Sequence, residues 1–362
     1  MKDKVGIGLI GTGFARKVQL PAFLACDRAW IASVSSASYE NAQATADEFG
    51  IGHFSAYWRD TILHPEVDIV CITTPPYLHR EMTLFAIESG KHILCEKPMA
   101  MNVGEAQEMC DAAADKPILT LIDHELRFQP GRQLAKQMLH DGAIGKVRHC
   151  KAIFQAPHRG DPDIPWNWWS DAAAGGGALG AINSHIIDSF NWFLGSNIVS
   201  VFCQLQSHIK ERPDPNGRMR PVTTDDEAHM LLRFADGPVA SDATGLVSVS
   251  MVEYPKYQNR VEFYGSKGAL RIDHRGDVFI TIAGEGDWRS VETPILENVG
   301  RYPDTGFPRG FMGFARKIID AIRHGETSIS DAATFEDGLE VQRVLDASRI
   351  SSSQGHIVVI ER

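Results

Sequence analysis

Near its amino terminus the chain has an apolar run that leads directly into a glycine-rich loop. Val5–Ile10 contains no charged side chain, and Gly11-Thr12-Gly13-Phe14-Ala15 follows at once. The first glycine permits a tight turn, and the second lets backbone approach a pyrophosphate at the start of a helix. Arg16 stands where a third small residue is usual, and Ala15 beside it partly takes that place. The pattern predicts a βαβ unit whose loop (Gly11, Thr12, Gly13, Phe14 and Ala15) contacts a dinucleotide.

Short apolar runs continue through residues 1–125 and alternate with stretches of helical character, such as Tyr39–Phe49 and Leu78–Gly90. Continuous runs of this length are typical of parallel strands that are covered on both faces. The remaining runs are Ala29–Ser35, Val67–Thr73, His92–Glu96 and Pro117–Asp123. The alternation predicts an α/β domain with a doubly wound parallel sheet, the Rossmann arrangement.

The pattern changes in residues 126–362, where longer β-rich segments are separated by turns such as Asp236-Gly237. This predicts an α+β domain with an open, mostly antiparallel sheet. Helices are expected to cover one face of that sheet; they are Gly131–His140, His185–Leu194, Phe311–Arg323 and Ala332–Ser348. Pro157–Ala174 and Glu211–Thr224 are expected to be irregular and to shape a substrate pocket.

Composition excludes some partners. The 362 residues carry a formal net charge of −10, whereas a nucleic-acid surface needs clustered Lys and Arg. No apolar run approaches the ~18 residues of a membrane span, and the first residues lack a signal-peptide apolar region. Six cysteines without a Cys-x-x-Cys pair fit a reduced compartment. We expect a cytoplasmic protein with no nucleic-acid, membrane or metal partner.

Two polar segments follow strands at the edge where ligands bind in a doubly wound sheet. Thr74, Pro75 and His79 follow the third strand and are expected to contact the cofactor. Glu96 and Lys97 end the fourth strand. A lysine there can hydrogen-bond a substrate hydroxyl and take its proton while hydride leaves the carbon. Lys97 is therefore a catalytic candidate that also borders the cofactor.

The end of the second strand bears on the choice of cofactor. Enzymes that use NAD usually place Asp or Glu there to bind the adenosine ribose, but this chain has Ser35 and Ser36. Serine hydroxyls can donate to a 2′-phosphate, and no carboxylate at that place repels it. The sequence leans slightly to NADP and leaves NAD open. Arg16 is a further candidate for contact with a phosphate.

A histidine in the second domain supplies another acid–base group. His185 follows Gly175-Gly176-Gly177, and Asp188 lies three positions later, on the same face if the segment is helical. His185 is the second catalytic candidate, and Asp188 is expected to contact a polyol or to orient the imidazole. Trp168, within a tryptophan-rich segment, is a candidate platform for a sugar ring or a structural contact.

The motifs together resemble those of the Gfo/Idh/MocA oxidoreductases, along nearly the whole chain. The matching segments are Gly11-Thr12-Gly13-Phe14, Thr74-Pro75-Pro76, Glu96-Lys97-Pro98, Arg127-Phe128, Gly142-x-Ile144-Gly145, Gly175-Gly176-Gly177, His185-x-x-Asp188 and Gly265-Ser266-Lys267-Gly268. The resemblance implies an NAD(P)-dependent dehydrogenase or reductase that acts on a hydroxyl or carbonyl of a sugar, inositol or related small molecule. It also implies a homodimer or homotetramer, with Arg127 near the substrate.

This chain departs from the family pattern next to the histidine. Ala181 occupies a position where many members carry Asp, and Asn183 replaces a usual Gly. Orientation of the imidazole is then expected from Asn183 or Asp188, and Asn183 is also expected to contact the substrate. Two alternatives stay open. One is an enzyme that retains its cofactor and uses transient oxidation to eliminate or hydrolyse a group; the other is a non-catalytic dinucleotide-binding regulator.

Overall fold

The computed structural model describes residues 3–299 and 303–362. The chain divides into two compact units, of which the first runs to Phe128 and also includes Leu296–Leu339. The second comprises Gln129–Ile295 and Glu340–Arg362. This division differs from a single boundary near residue 125, because a C-terminal segment returns to the first unit.

The first unit is built on a seven-stranded sheet in which every strand pair is parallel except the one that Ala333–Thr334 makes at the edge. In sheet order the strands are β17 (Ala333–Thr334), β6 (Thr120–Ile122), β5 (His92–Cys95), β4 (Ile69–Ile72), β1 (Val5–Ile10), β2 (Ala29–Ser35) and β3 (Phe54–Ser55). Helices connect them: α1 (Leu20–Leu24), α2 (Tyr39–Phe49), α3 (Trp58–Leu63), α4 (His79–Glu88) and α5 (Val103–Ala113). The order reverses beside β1, which confirms the predicted doubly wound sheet.

The helix predicted at Phe311–Arg323 extends over Phe307–His324 (α8) and belongs to the first unit. The expectation that it covers the second sheet is therefore wrong. Its apolar face packs into the core around α1, where the rings of Phe311 and Phe23 pack edge-to-face with their centroids 5.3 Å apart. Periodicity showed that one face of this helix is buried but could not show which surface buries it.

The second unit contains a nine-stranded sheet that is antiparallel except for one parallel pair, Val147–Gln155 with Ala240–Ser250. In sheet order the strands are β16 (Arg289–Val291), β15 (Val278–Ile282), β14 (Gly268–Ile272), β13 (Gln258–Gly265), β7 (Val147–Gln155), β12 (Ala240–Ser250), β11 (Glu227–Phe234), β8 (Ile198–Gln206) and β18 (Val358–Val359). Helix α7 (Ser184–Leu194) packs Phe190 and Phe193 against Phe263 of β13. The predicted mostly antiparallel sheet is thus confirmed.

The remaining helices are α6 (Pro130–His140) and α9 (Phe335–Gln354). Of the two segments expected to be irregular, Glu211–Thr224 instead forms a two-stranded pair, β9 (Glu211–Pro213) with β10 (Met219–Pro221). Pro213 and Pro221 are the last residues of these strands, where a missing backbone N–H costs little, and Pro215 lies in the turn between them. Pro157–Ala174 contains two short 3₁₀ turns, Trp168–Ser170 and Ala172–Ala174. No helix within the described residues is long and apolar enough to cross a membrane.

Candidate functional site

The predicted cofactor contacts of the first unit follow neighbouring parallel strands. Strand β1 pairs with β4 on one side and β2 on the other, and β4 pairs with β5. Because the carboxyl ends of parallel strands meet at one edge, the segments that follow them lie along that edge. This edge therefore brings together the glycine loop, Ser35, Thr74 and Lys97.

The loop after β1 has the backbone that a dinucleotide requires. Gly11 has φ +98°, and a Cβ there would lie 2.6 Å from the carbonyl oxygen of Thr73. A Cβ at Gly13 would meet nothing within 4 Å, so the loop presents open space at that glycine. Thr12 and Phe14 are half-buried, Ala15 is buried, and a π-helical turn, Ala15–Gln19, precedes α1. This open cradle at a helix start fits a pyrophosphate.

The end of β2 supplies a buried hydroxyl and little positive charge. Ser35 Oγ is buried and has no hydrogen-bond partner within the described residues. Ser36 is half-buried, and its N–H donates to the Ser55 carbonyl oxygen at 3.2 Å. The Arg16 guanidinium, a candidate for phosphate contact, instead pairs with Glu48 (Nε to Oε2, 2.5 Å). A ribose hydroxyl could hydrogen-bond to Ser35 Oγ, whereas Arg16, the cation predicted to contact a phosphate, is already paired with Glu48.

Lys97 is the second residue after β5 and is mostly covered, its side chain being 18% exposed. Its Nζ lies 3.9 Å from Glu96 Oε2, and its backbone N–H donates to the same oxygen at 3.3 Å. Burial raises the pKa of Glu96, and the nearby Lys97 charge opposes that rise. The pair thus places a mostly covered amino group beside a carboxyl at the edge of the sheet where ligands bind.

Two residues that the sequence analysis missed lie behind this pair. The Gln19 side-chain amide donates to Glu96 Oε1 at 3.2 Å and to Asp123 Oδ2 at 2.7 Å. Asp123 is fully buried, and burial together with the charges of Glu125 and Glu96 raises its pKa well above the usual range. Gln19 is 77 positions from Glu96 and 104 positions from Asp123 in the chain, so no local pattern indicates the cluster.

His79 is fully buried at the start of α4. Its Nδ1 is 3.0 Å from the Pro98 carbonyl oxygen and its Nε2 is 2.9 Å from that of Thr74. Burial lowers the pKa of the imidazole. The ring thus links the segment after β4 to the segment that carries Lys97. Thr74 and Pro75 are half-buried beside it.

Arg127 was expected near the substrate. Its side chain is 5% exposed, and Nη1 lies 3.3 Å from Asp337 Oδ2 and 3.4 Å from the Asp331 carbonyl oxygen. Both partners belong to the C-terminal segment of the first unit. This placement favours a structural role, in which the arginine fastens that segment.

In the second unit, His185 is the second residue of α7 and is 5% exposed; Asp188 is 2% exposed. Asn183, which precedes α7, is fully buried, and its side-chain amide donates to Met230 Sδ at 3.2 Å. The Asn183 Oδ1 atom has no hydrogen-bond partner among the described residues. A buried carbonyl oxygen in this state is available to a donor from a ligand or an imidazole.

Asp225 anchors the segment that leads into α7. Its Oδ2 accepts the backbone N–H of Leu179 at 2.6 Å, and its own carbonyl oxygen accepts that of Ala178 at 3.1 Å. Burial raises the pKa of Asp225 to about 6. A Cβ at Gly177 would lie 2.5 Å from Asp225 Oδ1, so this glycine admits the carboxyl. Asp225 was not identified from the sequence because it is 46 positions from Leu179.

Trp168 packs next to the same glycine-rich segment. Its carbonyl oxygen and that of Trp169 would lie 2.7 and 2.4 Å from a Cβ at Gly176. The centroids of the two indole rings are 6.1 Å apart, with an angle of 53° between the ring planes, and Trp168 is half-buried. The tryptophan turn is therefore held against the backbone that precedes α7.

Comparison with known proteins identifies the group to which these two units belong. A family model described as an oxidoreductase family with an NAD-binding Rossmann fold matches residues 5–124. A model of the GFO/IDH/MocA C-terminal domain matches residues 132–271. The chain belongs to the Gfo/Idh/MocA oxidoreductases. The resemblance stated from its motifs is thereby confirmed.

Among relatives within this family, levoglucosan dehydrogenase of Pseudarthrobacter phenanthrenivorans is 31% identical over 358 residues, covering 92% of this chain and 88% of that protein. The solved structure of a levoglucosan dehydrogenase in complex with NADH and levoglucosan has a TM-score of 0.88, with 29% identity over 99% of this chain and 100% of that chain. An oxidoreductase domain protein from Kribbella flavida has a TM-score of 0.87 at 31% identity, with both chains fully covered. Family and neighbours support an NAD(P)-type cofactor and a small-molecule substrate.

Proposed function

We propose that this chain is an NAD-dependent dehydrogenase that oxidises a CH–OH group of a sugar or a closely related polyol. The observation that carries the proposal is Lys97, a mostly covered lysine two residues after β5, on the same sheet edge as the open glycine loop. The full-length likeness to levoglucosan dehydrogenase supports a ring-shaped, hydroxyl-rich substrate.

Bound nicotinamide would supply the hydride acceptor, and the chain's own groups would handle the proton. Lys97 takes the hydroxyl proton at Nζ during oxidation and returns it during reduction. The carboxyl of Glu96, 3.9 Å from Nζ, stabilises the positive charge that this transfer creates. His79 positions the lysine through its contact with the Pro98 carbonyl oxygen.

In the second unit we assign His185 as the second acid–base group and Asp188 and Asn183 as substrate or imidazole contacts. The support is their burial together on and before α7, and the available Oδ1 of Asn183. Trp168 is proposed to cover an apolar face of the sugar, because its half-buried ring leaves surface for stacking.

We propose NAD rather than NADP, which reverses the slight lean taken from the serines of β2. A 2′-phosphate needs a cation, and the Arg16 guanidinium is occupied by Glu48. Ser38 donates to Glu40 Oε2 at 2.8 Å, and hydrogen bonds from the backbone and from Ser38 lower the pKa of this exposed glutamate. A fixed negative charge near the end of β2 disfavours the extra phosphate. The NADH bound to the levoglucosan dehydrogenase neighbour agrees with this choice.

The test is a pair of titrations followed by turnover assays. NADH and NADPH are titrated into the purified protein by fluorescence, and we expect NADH to bind at least about tenfold more tightly. NAD reduction is then followed with levoglucosan, aldoses and inositols, using Lys97→Ala as the matched inactive variant. Tight binding of NADH with no substrate-dependent reduction across the panel would contradict the dehydrogenase and favour a retained-cofactor enzyme or a regulator.

A further inference from the structure

Two buried carboxyl groups lie behind Lys97 in the first unit. Glu96 at the end of β5 is 8% exposed, and Asp123 just after β6 is fully buried. One side-chain amide, that of Gln19, donates to both, over 3.2 Å to Glu96 and 2.7 Å to Asp123. A single NH₂ group that reaches two carboxyls requires them to be close neighbours.

Both carboxyl groups are buried and accept from the same Gln19 NH₂ group, so ionising both would place two like charges close together away from water. A proton on one of them removes that repulsion and supplies an O–H donor where a carboxylate can only accept. Asp123 is the deeper of the two, and its Oδ1 has no hydrogen-bond partner within the described residues. Burial raises the pKa of both groups, and the charges of Glu125 and Glu96 raise the pKa of Asp123 further.

The surrounding charged groups determine which of the two carboxyl groups carries the negative charge. Glu125 adds a third carboxyl to the Asp123 side. Burial lowers the pKa of His124 well below its usual range, and burial raises the pKa of the Cys71 thiol, so neither contributes a charge near neutral pH. Lys97 lies on the Glu96 side, with Nζ 3.9 Å from Oε2. The negative charge of the pair is best placed on Glu96, where it faces the Lys97 side chain.

We propose that Glu96 and Asp123 form an acid pair that shares one proton and presents a single negative charge to Lys97. Asp123 is the positioning residue, because its O–H donates to Glu96 and leaves the charge on the carboxyl that faces the lysine. No proton leaves the pair during turnover. The substrate O–H bond breaks and its proton bonds to the uncharged Lys97 Nζ, the Glu96 charge stabilises the ammonium that forms, and a bound nicotinamide would accept the hydride from carbon.

The first test uses the protein without cofactor or substrate. A folded carboxyl with a raised pKa binds a proton that the unfolded chain releases, so its contribution to stability is lost as pH rises. Asp123→Asn cannot ionise but keeps the shape of the side chain. We expect the Tm of Asp123→Asn to rise relative to wild type by about 4 °C between about pH 5 and about pH 8. A difference in Tm that is the same at both pH values would overturn the pair.

The second test measures kinetics and rests on the proposed role of Lys97. Asp123→Ala removes the donor to Glu96, so kcat should fall about tenfold with KM for NAD changed less than about threefold. Asp123→Asn should keep kcat within about threefold, because its amide N–H replaces the O–H donor. Asp68→Asn is the matched control: this carboxylate accepts the Gly6 N–H at 2.8 Å and precedes β4, at the opposite end of the strands, and its kcat should match wild type.

The two tests separate the pair from the proposed function. A pH-dependent Tm difference in a protein without turnover would support the pair and contradict the dehydrogenase. An active enzyme whose Asp123→Asn and Asp123→Ala variants lose kcat equally, or in which Asp123→Ala loses none, would overturn the positioning role while the dehydrogenase stands.

Discussion

Gly13 offers a substitution that should remove cofactor binding without disturbing the fold. A Cβ at this position meets nothing within 4 Å, and the residue lacks the positive φ of Gly11. The Cβ of Gly13→Val therefore meets no protein atom, and we expect the free energy of unfolding to change by less than about 1 kcal/mol. The added methyl groups would instead occupy the space through which a pyrophosphate approaches the loop.

The loss in affinity follows from the hydrogen bonds that the pyrophosphate would forgo. A hydrogen bond to a charged group contributes about 1.5–3 kcal/mol, so losing two of them weakens NADH binding by at least about 100-fold. Fluorescence titration with NADH measures the affinity, and thermal unfolding of the unliganded protein measures stability.

The matched control is Gly52→Val, another position where a Cβ meets nothing within 4 Å, in the loop before β3. It should bind NADH like wild type. Unchanged affinity in Gly13→Val would refute the assignment of the open glycine loop as the pyrophosphate site. A Gly13→Val protein that is strongly destabilised would refute the claim that the space at Gly13 is reserved for a ligand.

Three further outcomes follow from the two units. Lys97→Ala should lower kcat by about two to four orders of magnitude with NADH affinity within about threefold, and near-normal turnover would remove the lysine from the mechanism. Burial raises the pKa of Asp225 from 3.8 to about 6, so the free energy of unfolding of wild type should fall by up to about 3 kcal/mol relative to that of Asp225→Asn as pH rises from about 4 to about 7. Urea unfolding at several pH values measures this difference; if the two proteins change in parallel with pH, the prediction is wrong. Gly176→Ala, whose Cβ would lie 2.4 Å from the Trp169 carbonyl oxygen, should cost about 1–3 kcal/mol and raise the substrate KM, and a Tm equal to wild type would show that the tryptophan turn is not held there.

Five strands of the first unit and the helices α2 and α4 could be predicted from the sequence, because each has a recognisable pattern with local boundaries. Strands β1 and β2 and helix α2 match their predicted ranges residue for residue. Helix α2 has clear signals at both ends, since Ser38 Oγ accepts the Asn41 N–H and Gly50 takes the left-handed conformation. Short strands such as β17 and β18, of two residues each, carry too little pattern to be identified.

What the sequence could not provide is which distant surfaces meet. Helix α8 was identified as a helix but assigned to the wrong sheet, because its apolar face fits either core. The segment Glu211–Thr224 appeared irregular because its strands are three residues long and rich in Pro and Arg. Lys97 and His185 could be selected by their motifs, whereas the Gln19 bridge between Glu96 and Asp123 depends on tertiary contacts alone.

The central claim is that this chain transfers hydride from a sugar or polyol hydroxyl to NAD with Lys97 as the group that takes the proton. The most direct measurement is NAD reduction by wild type and by Lys97→Ala over the same substrate panel, with NADH affinity measured for both. The account predicts substrate-dependent reduction in wild type and a loss of about 100-fold or more in the variant, at similar NADH affinity. Equal rates in the two proteins, or no reduction by wild type despite tight NADH binding, would contradict it.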